Sequence, residues 1–105
     1  MRSSSVSVTG VAASAWLPLD AGTVGTNFGL YLTPGAGATV TVQVTPDNVL
    51  DASVTPVAFA IPVATLVGAT VNIAAALPLG ALAVRMNQTA GATTSRLQVV
   101  TQGIR

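Results

Sequence analysis

Seven consecutive residues, Thr39 to Thr45, alternate strictly between polar and apolar side chains. Valine occupies every second position of this run, and Thr or Gln occupies the others. Because successive side chains of a β-strand point to opposite faces of a sheet, the pattern predicts a strand with one buried and one solvated face. The turn-forming residues Pro46, Asp47 and Asn48 follow at once and end the strand.

The same period of two recurs along the chain, and segments rich in Gly, Pro and Thr separate its occurrences. Further strands are predicted at residues 6–11, 16–19, 28–32, 81–87 and 97–102, with weaker candidates at 57–61 and 70–73. About eight strands at this spacing favour an all-β fold. We expect one antiparallel β-sandwich domain over residues 1–105, with a jelly-roll as one possible topology. The loop at 88–94 is expected to join the last two strands as a hairpin. No long helix is expected, although Ala and Leu recur at 62–76.

Charge is unusually scarce in this chain. Charged residues make up 7% of it, against about 25% in typical soluble domains. A net charge of +1 provides no basic surface for a nucleic-acid backbone, so we expect no nucleic-acid partner. The surface must then consist largely of small polar and apolar side chains, which cost little to desolvate. Such a surface is typical of one that other proteins cover.

The residue types that carry most enzyme chemistry are missing, since the chain has no His, Cys, Lys or Glu. We therefore predict a protein that is not an enzyme, with no catalytic, cofactor or metal site. Asp47 and Asp51 leave one alternative open, an acid pair or a cation site. The favoured interpretation is that Asp47 forms a turn and Asp51 caps the segment that follows it.

Four arginines carry all of the positive side-chain charge, and they are the candidate protein-interface residues: Arg2, Arg85, Arg96 and Arg105. Arg85 and Arg96 are expected on the polar sides of two strands that pair with each other. An interface role suits them, because arginine is enriched in protein interfaces. Solvated arginines that keep strand edges soluble are the equally open alternative.

Three further features receive structural interpretations. Trp16 is predicted to anchor the core, in preference to a sugar-stacking role that normally needs several aromatic residues. Asp20 is expected to accept backbone N–H groups or to pair with an arginine. The polar residues 1–5 are predicted to form a flexible N-terminal arm that orders against a neighbour.

The segment from Val57 to Val84 contains no charged residue and is long enough to cross a membrane. Prolines, glycines and Asn72 interrupt it at intervals that suit turns between short strands. We therefore predict no membrane association, and a small membrane or lysis protein stays as an alternative of lower rank.

Several short segments, in this order, resemble a family of small β-rich proteins encoded among the virion structural genes of tailed bacteriophages. The resemblance runs almost end to end and departs from the family pattern at residues 51–76. The matching segments are Val8-Thr9-Gly10, Trp16-Leu17-Pro18-Leu19-Asp20, Phe28-Gly29-Leu30, Ala38 to Gln43, Pro46-Asp47, Ala83 to Asn87, Thr89 to Thr93 and Leu97 to Val100.

The resemblance implies a virion protein without catalytic residues. The function expected from it is capsid decoration: a cement protein on the capsid exterior that forms a homo-oligomer and contacts the major capsid protein or other virion proteins. Assembly would take place in the cytoplasm of the bacterial host. A head–tail connector, tail or fibre-base protein of the same particle is the alternative.

Overall fold

Two antiparallel sheets pack face to face in the computed structural model, which describes residues 2–19, 27–47, 49–51, 53–77 and 83–102. The first sheet contains the first and last strands of the chain as neighbours, because β1 pairs with β9 along its whole length. In spatial order its strands are β1 (Arg2–Thr9), β9 (Thr94–Gln102), β4 (Asn27–Thr33) and β7 (Ile73–Ala76).

The second sheet is built around the pair of long strands β5 (Thr39–Thr45) and β8 (Ala83–Ala90). On the outer side of β5 lies β6 (Phe59–Ala60), and on the outer side of β8 lie β2 (Ala12–Ala13) and β3 (Leu17–Pro18). A single 3₁₀ turn, Ala64–Leu66, is the only helical element among the described residues.

The inner faces of the two sheets form the core, as the alternation of side chains predicts. In β5 the three valines are buried, while Thr39, Thr41 and Gln43 are half-buried on the opposite face. The other long strands contribute branched aliphatic residues and one methionine in the same alternating manner. The core residues of these strands are Leu30, Leu32, Val40, Val42, Val44, Val84, Met86, Leu97 and Val99. The all-β sandwich expected from the sequence is therefore confirmed.

The edge strand beside β8 is interrupted by a bulge at Ser14. Ala13 lies opposite Asn87 and Leu17 lies opposite Val84, so the edge strand contains one residue more than β8 over the same span. The Ser14 backbone N–H donates to the Met86 carbonyl at 2.8 Å, and the Ser14 hydroxyl accepts from the Met86 N–H at 3.0 Å. The Ser14 hydroxyl thus takes the place of the backbone carbonyl that would accept the Met86 N–H in a regular strand.

The chain crosses between the sheets at the short turn from β8 to β9, where a buried amide holds the corner together. Gln88 is fully buried, and its Nε2 donates to the carbonyls of Gly91 and Thr93 at 3.1 and 2.9 Å. Its Oε1 accepts from the Ser95 hydroxyl at 2.6 Å, which in turn accepts from the Gly35 N–H at 2.9 Å. The network therefore links the turn after β8, the start of β9 and the loop that contains Gly35.

Glycine is required at Gly91 of this corner. Its φ of +96° lies in the left-handed region, and a Cβ there would approach the Ala38 Cα to 2.7 Å. The sequence prediction of a hairpin over 88–94 was wrong, because β8 and β9 do not pair and belong to different sheets.

Two other predictions differ from the structure. Residues 2–5 of the predicted flexible arm lie in β1, and their backbone pairs with residues 98–101 of β9. The weak strand candidate at 70–73 is displaced, because β7 begins at Ile73 and ends at Ala76. Part of the strand predicted at 81–87 lies outside the described residues.

Replacing Gln88 with leucine should destabilise the fold by about 2–4 kcal/mol, because the buried Ser95 hydroxyl would lose its acceptor and the carbonyls of Gly91 and Thr93 would each lose a donor. Urea unfolding followed by circular dichroism measures the change in free energy of unfolding. The matched control is Asn87→Ala on the outer face of the same strand, which should change stability by less than about 0.5 kcal/mol. Equal stability of Gln88→Leu and wild type would show that the corner does not depend on the amide.

Candidate interaction surface

Arg85 and Arg96 project from opposite faces of the sandwich. Arg85 alternates with the buried residues Val84 and Met86 of β8, and Arg96 alternates with the buried residues Ser95 and Leu97 of β9. Each arginine is therefore on the outer face of its own sheet. The expectation that the two arginines lie on paired strands was wrong, because β8 and β9 belong to different sheets.

On the outer face of the second sheet, the Arg85 side chain lies between an aromatic ring and an amide. The guanidinium carbon lies 4.5 Å from the centroid of the Trp16 ring, within the range of a cation–π interaction. The Arg85 Nε donates to Gln43 Oε1 at 2.8 Å. Both contacts follow from strand pairing, since Gln43 lies opposite Arg85 and Trp16 immediately precedes β3, which pairs with β8. Trp16, Gln43 and Arg85 are referred to below as the Trp16–Arg85 site.

This arrangement corrects the prediction that Trp16 anchors the core. The ring is half-buried and lies under the guanidinium, outside the buried cluster between the sheets. Because Leu17 of β3 packs against the core, the neighbouring Trp16 points to the other face. Two of the three residue types that dominate protein-interface hot spots, Trp and Arg, thus meet at one site.

On the outer face of the first sheet, Arg96 lies among small and polar residues. The strand register places it between Ser7 of β1 and Thr33 of β4. Tyr31, which is 48% exposed, lies two residues before Thr33, and its ring packs across Gly29. A shallow depression of about 340 Å³ runs between Tyr31, Arg96 and Asn72. This face contains one cation and one exposed aromatic ring among residues that cost little to desolvate.

The two described carboxylates accept hydrogen bonds from β5 and from the connection between β5 and β6. The Asp47 Oδ2 accepts the Val57 N–H at 2.7 Å and the Thr45 hydroxyl at 3.3 Å. The Asp51 Oδ1 accepts the Ser53 hydroxyl at 2.7 Å and the Ser53 N–H at 2.9 Å. These hydrogen bonds, the hydroxyl first, hold the pKa of the Asp51 carboxyl below its ordinary value. They fit the predicted turn and capping roles of the two aspartates.

The arginines consequently have no carboxylate partner in the part of the chain that the structure describes. The carboxylates of Asp47 and Asp51 bond to Thr, Ser and Val groups, and neither forms an ion pair with Arg85 or Arg96. Asp20 and Arg105 lie outside the described residues, as does the side chain of Arg2.

Among the described residues, exposed apolar side chains are concentrated in one part of the chain. Five of the seven large hydrophobic residues that are exposed there lie between β5 and β7, and they are called the apolar rim: Leu50, Val57, Phe59, Val67 and Val71. Phe59 lies in β6, while Val67 and Val71 flank Ala69, which forms a bridge with Val40 of β5. The rim therefore borders the β6 side of the second sheet, away from β1.

Within the described ranges, no group of three or more acidic, His or Cys side chains could hold a metal ion. Those ranges also contain no helix with the length and apolar character needed to cross a membrane. We found no match between this chain and any protein-family model, curated protein or solved structure.

The Trp16–Arg85 site was not predicted as a unit. The alternation in β5 and β8 places Gln43 and Arg85 on outer faces, but it does not say which strands are neighbours. One signal in the sequence was the succession of Trp16 and Leu17. Because successive strand residues face opposite sides, burial of Leu17 would place Trp16 on the outer face.

Replacing Ser53 with alanine should raise the pKa of Asp51, because the carboxylate loses its hydroxyl donor and keeps only the backbone N–H. The stabilising effect of a lowered carboxyl pKa is present above the pKa of the unfolded chain and is lost as the pH falls through the folded pKa. An NMR pH titration of the Asp51 carboxyl carbon measures the shift. Thr55→Ala is the control and should leave this pKa unchanged, and an unchanged value in Ser53→Ala would contradict the capping role.

Replacing Arg85 with alanine should shift the fluorescence emission of Trp16 to longer wavelength, because the covered face of the ring becomes accessible to water. Trp16 is the sole tryptophan of the chain, so the signal is unambiguous. The stability lost with the cation–π contact should be about 0.5–1 kcal/mol. Arg96→Ala, on the opposite face, should leave the emission unchanged, and a similar spectrum for both variants would disprove the contact.

Proposed function

We propose that this chain is a non-enzymatic structural protein of a bacteriophage virion, where it decorates the outside of the capsid shell and stabilises it through protein–protein contacts. It acts as a small symmetric homo-oligomer, and its partner is the major capsid protein. The Trp16–Arg85 site provides the main contact with the shell.

The observation that carries this proposal is a difference between the acidic and the basic side chains in whether they have partners within the molecule. The described aspartates accept hydrogen bonds from β5 and from the connection between β5 and β6, whereas Arg85 and Arg96 have no carboxylate partner among the described residues. A protein that only had to stay soluble would gain from many mixed surface charges. Arg85 and Arg96 are the only charged side chains among the described residues of the two outer faces, and they suit partners that supply carboxylates, because Arg binds a carboxylate with two parallel hydrogen bonds.

The exposed apolar residues support the same class of function. Scattered single hydrophobic residues are normal on a protein surface, but the apolar rim holds five of them within 22 residues of chain, Leu50 to Val71. Where such residues form a contiguous patch, they mark a surface that other proteins cover. Contacts of modest strength, repeated in many copies over a shell, would stabilise it through avidity.

The strand order supports a virion role in combination with the sequence resemblance. If β2 and β3 are taken as one edge strand interrupted at Ser14, the molecule has two four-stranded sheets. Consecutive strands then alternate between the sheets at every step except from β5 to β6. We infer that this is jelly-roll connectivity, which is used in viral capsid domains and also in lectins and cupins. Fold alone does not decide between these uses, and the resemblance to phage virion proteins favours the first.

Quantitative mass spectrometry of purified phage particles tests the proposal. A copy number close to that of the major capsid protein is expected for a decoration protein. A very low copy number would instead indicate a head–tail connector, tail or fibre-base protein, and absence from the particle would overturn the virion assignment.

The same measurement tests the contact site when Arg85 is replaced with glutamate. Charge reversal should lower the copy number several-fold, because the carboxylate on the shell would lose its guanidinium partner and face a like charge. The matched control is Arg96→Glu on the opposite face, which should keep most of the wild-type copy number. Equal losses in the two variants would show that the Trp16–Arg85 site is not the specific contact.

A further inference from the structure

The outer edge of β1 is the most complete free strand edge that the described part of the molecule presents. It forms one end of the first sheet, and its pairing with β9 runs from Arg2 to Thr9 without a register shift. Free edges expose unpaired backbone groups, and proteins usually protect them with short strands, bulges, prolines or charges. None of these protections occurs in β1 after Arg2, since residues 3–9 contain only Ser, Val and Thr.

The other described edges are protected. β6 has two residues and β7 has four. The edge formed by β2 and β3 is broken by the bulge at Ser14 and contains Pro18, which has no N–H to donate. The contrast singles out β1 as an edge whose backbone is available for pairing.

The hydrogen bonds of the β1–β9 ladder identify which groups face outward. The Gly10 N–H donates to the Thr93 carbonyl at 3.4 Å, and these residues are the next pair of the register after Thr9 and Thr94. Because bonded and non-bonded pairs alternate in an antiparallel ladder, the residues bonded to β9 are Arg2, Ser4, Val6 and Val8. The N–H and C=O groups of Ser3, Ser5, Ser7 and Thr9 therefore point away from the sheet.

We propose that the outer edge of β1 binds the same edge of a second copy of this chain, in antiparallel orientation about a two-fold axis at Val6. The two first sheets then form one continuous eight-stranded sheet. The inference rests on the homo-oligomer part of the proposed function and names the interface through which the oligomer forms.

The register about Val6 uses every outward-facing group of the strand. Ser3 pairs with Thr9 of the second copy and Ser5 pairs with Ser7, and the two-fold axis repeats both pairs. Four pairs that each exchange two bonds give about eight interchain hydrogen bonds. An axis at Ser5 would leave Thr9 without a partner within β1, so the register about Val6 is favoured.

Side chains and charge also suit this register. The outer-face pairs consist of Ser and Thr, which are small enough for close approach of the strands. On the inner face, the half-buried Val6 packs against Val6 of the second copy and becomes covered. The one charge of the strand, Arg2, lies opposite Gly10 at the far end, so the two copies of Arg2 are separated.

Proline substitutions at adjacent positions test the assignment of the edge, with mass measured by light scattering over a range of protein concentrations. Wild type is expected at twice the monomer mass of 10.4 kDa. Ser5→Pro should be monomeric and retain a β-sheet circular dichroism spectrum, because the N–H it removes points outward. Ser4→Pro should unfold at lower urea concentration, because it removes a bond to β9. A monomeric wild type, or a Ser5→Pro variant that remains dimeric, would overturn the proposal.

Ser5→Lys with Ser7→Lys provides a second test that does not change the backbone. The two lysines of one copy would approach those of the other, so the dimer should dissociate while the fold is kept. The control is Ser5→Thr, which should remain dimeric, because it retains the backbone donor and the strand propensity. A dimeric lysine variant would argue against pairing at this edge.

Cysteine cross-linking tests the register, since the natural chain has no cysteine. Val6→Cys places the two thiols in directly opposed, non-hydrogen-bonded positions, where the Cα separation of about 4.5 Å lies within the range of a disulfide. Mild oxidation should convert most of this variant to a covalent dimer, while Ser5→Cys should cross-link far less. Preferential cross-linking of Ser5→Cys would overturn the register about Val6.

These experiments are independent of the particle measurement. A wild-type protein that is monomeric in solution but present in particles at the expected copy number would refute the β1 interface and leave the decoration role standing. A stable β1 dimer that is absent from particles would refute the virion assignment alone.

Discussion

The packing of the two inner sheet faces against each other is the interaction on which the rest of the structure depends. That interface is filled by Val, Leu, Ile and Met side chains, and the buried cluster contains no Trp, Tyr or Phe. Branched aliphatic residues of moderate size allow the two sheets to approach closely and leave little room for an aromatic ring. The aromatic residues are therefore displaced outward. Phe28 is half-buried at the margin of the core, and Trp16, Tyr31 and Phe59 lie on outer faces or at an edge.

This displacement connects the core to the proposed function. Aromatic rings and arginines contribute most of the binding energy in many protein interfaces, because they bury a large area and arginine adds directed hydrogen bonds. Here Trp16 is covered by the guanidinium of Arg85, which is itself oriented by Gln43. An arginine held in this way needs less ordering when a partner binds, so more of the contact energy is retained as affinity.

The sequence predicted the long strands well, because a period of two directly records which side chains face the core. Thr39 to Thr45 was predicted as a strand with the bounds that the structure gives to β5. The period does not record which strands are neighbours, so the crossing from β8 to β9 was misinterpreted as a hairpin and the two arginines were assigned to one surface. Residues 2–5 were misinterpreted as an arm, because a serine run shows no alternation of polar and apolar side chains even when it pairs with a neighbouring strand. The Gln88 corner was missed for a related reason. A glutamine in the sequence indicates a solvated residue, and its burial is explained only by the three hydrogen-bond partners that the fold brings to it.

The distribution of unsatisfied groups links the two proposed interfaces. Inside the fold, every buried side-chain polar atom of the described residues has a hydrogen-bond partner, and the two described aspartates accept hydrogen bonds from β5 and from the connection between β5 and β6. On the surface of the described part of the chain, Arg85, like Arg96, has no carboxylate partner, and the outward backbone groups of β1 have no neighbouring strand. A charged group on an uncharged face favours a partner with carboxylates, whereas a row of backbone donors and acceptors favours another strand. Because the two requirements lie on different sheets, one molecule can pair with its own copy through β1 and still present Arg85 to a different protein.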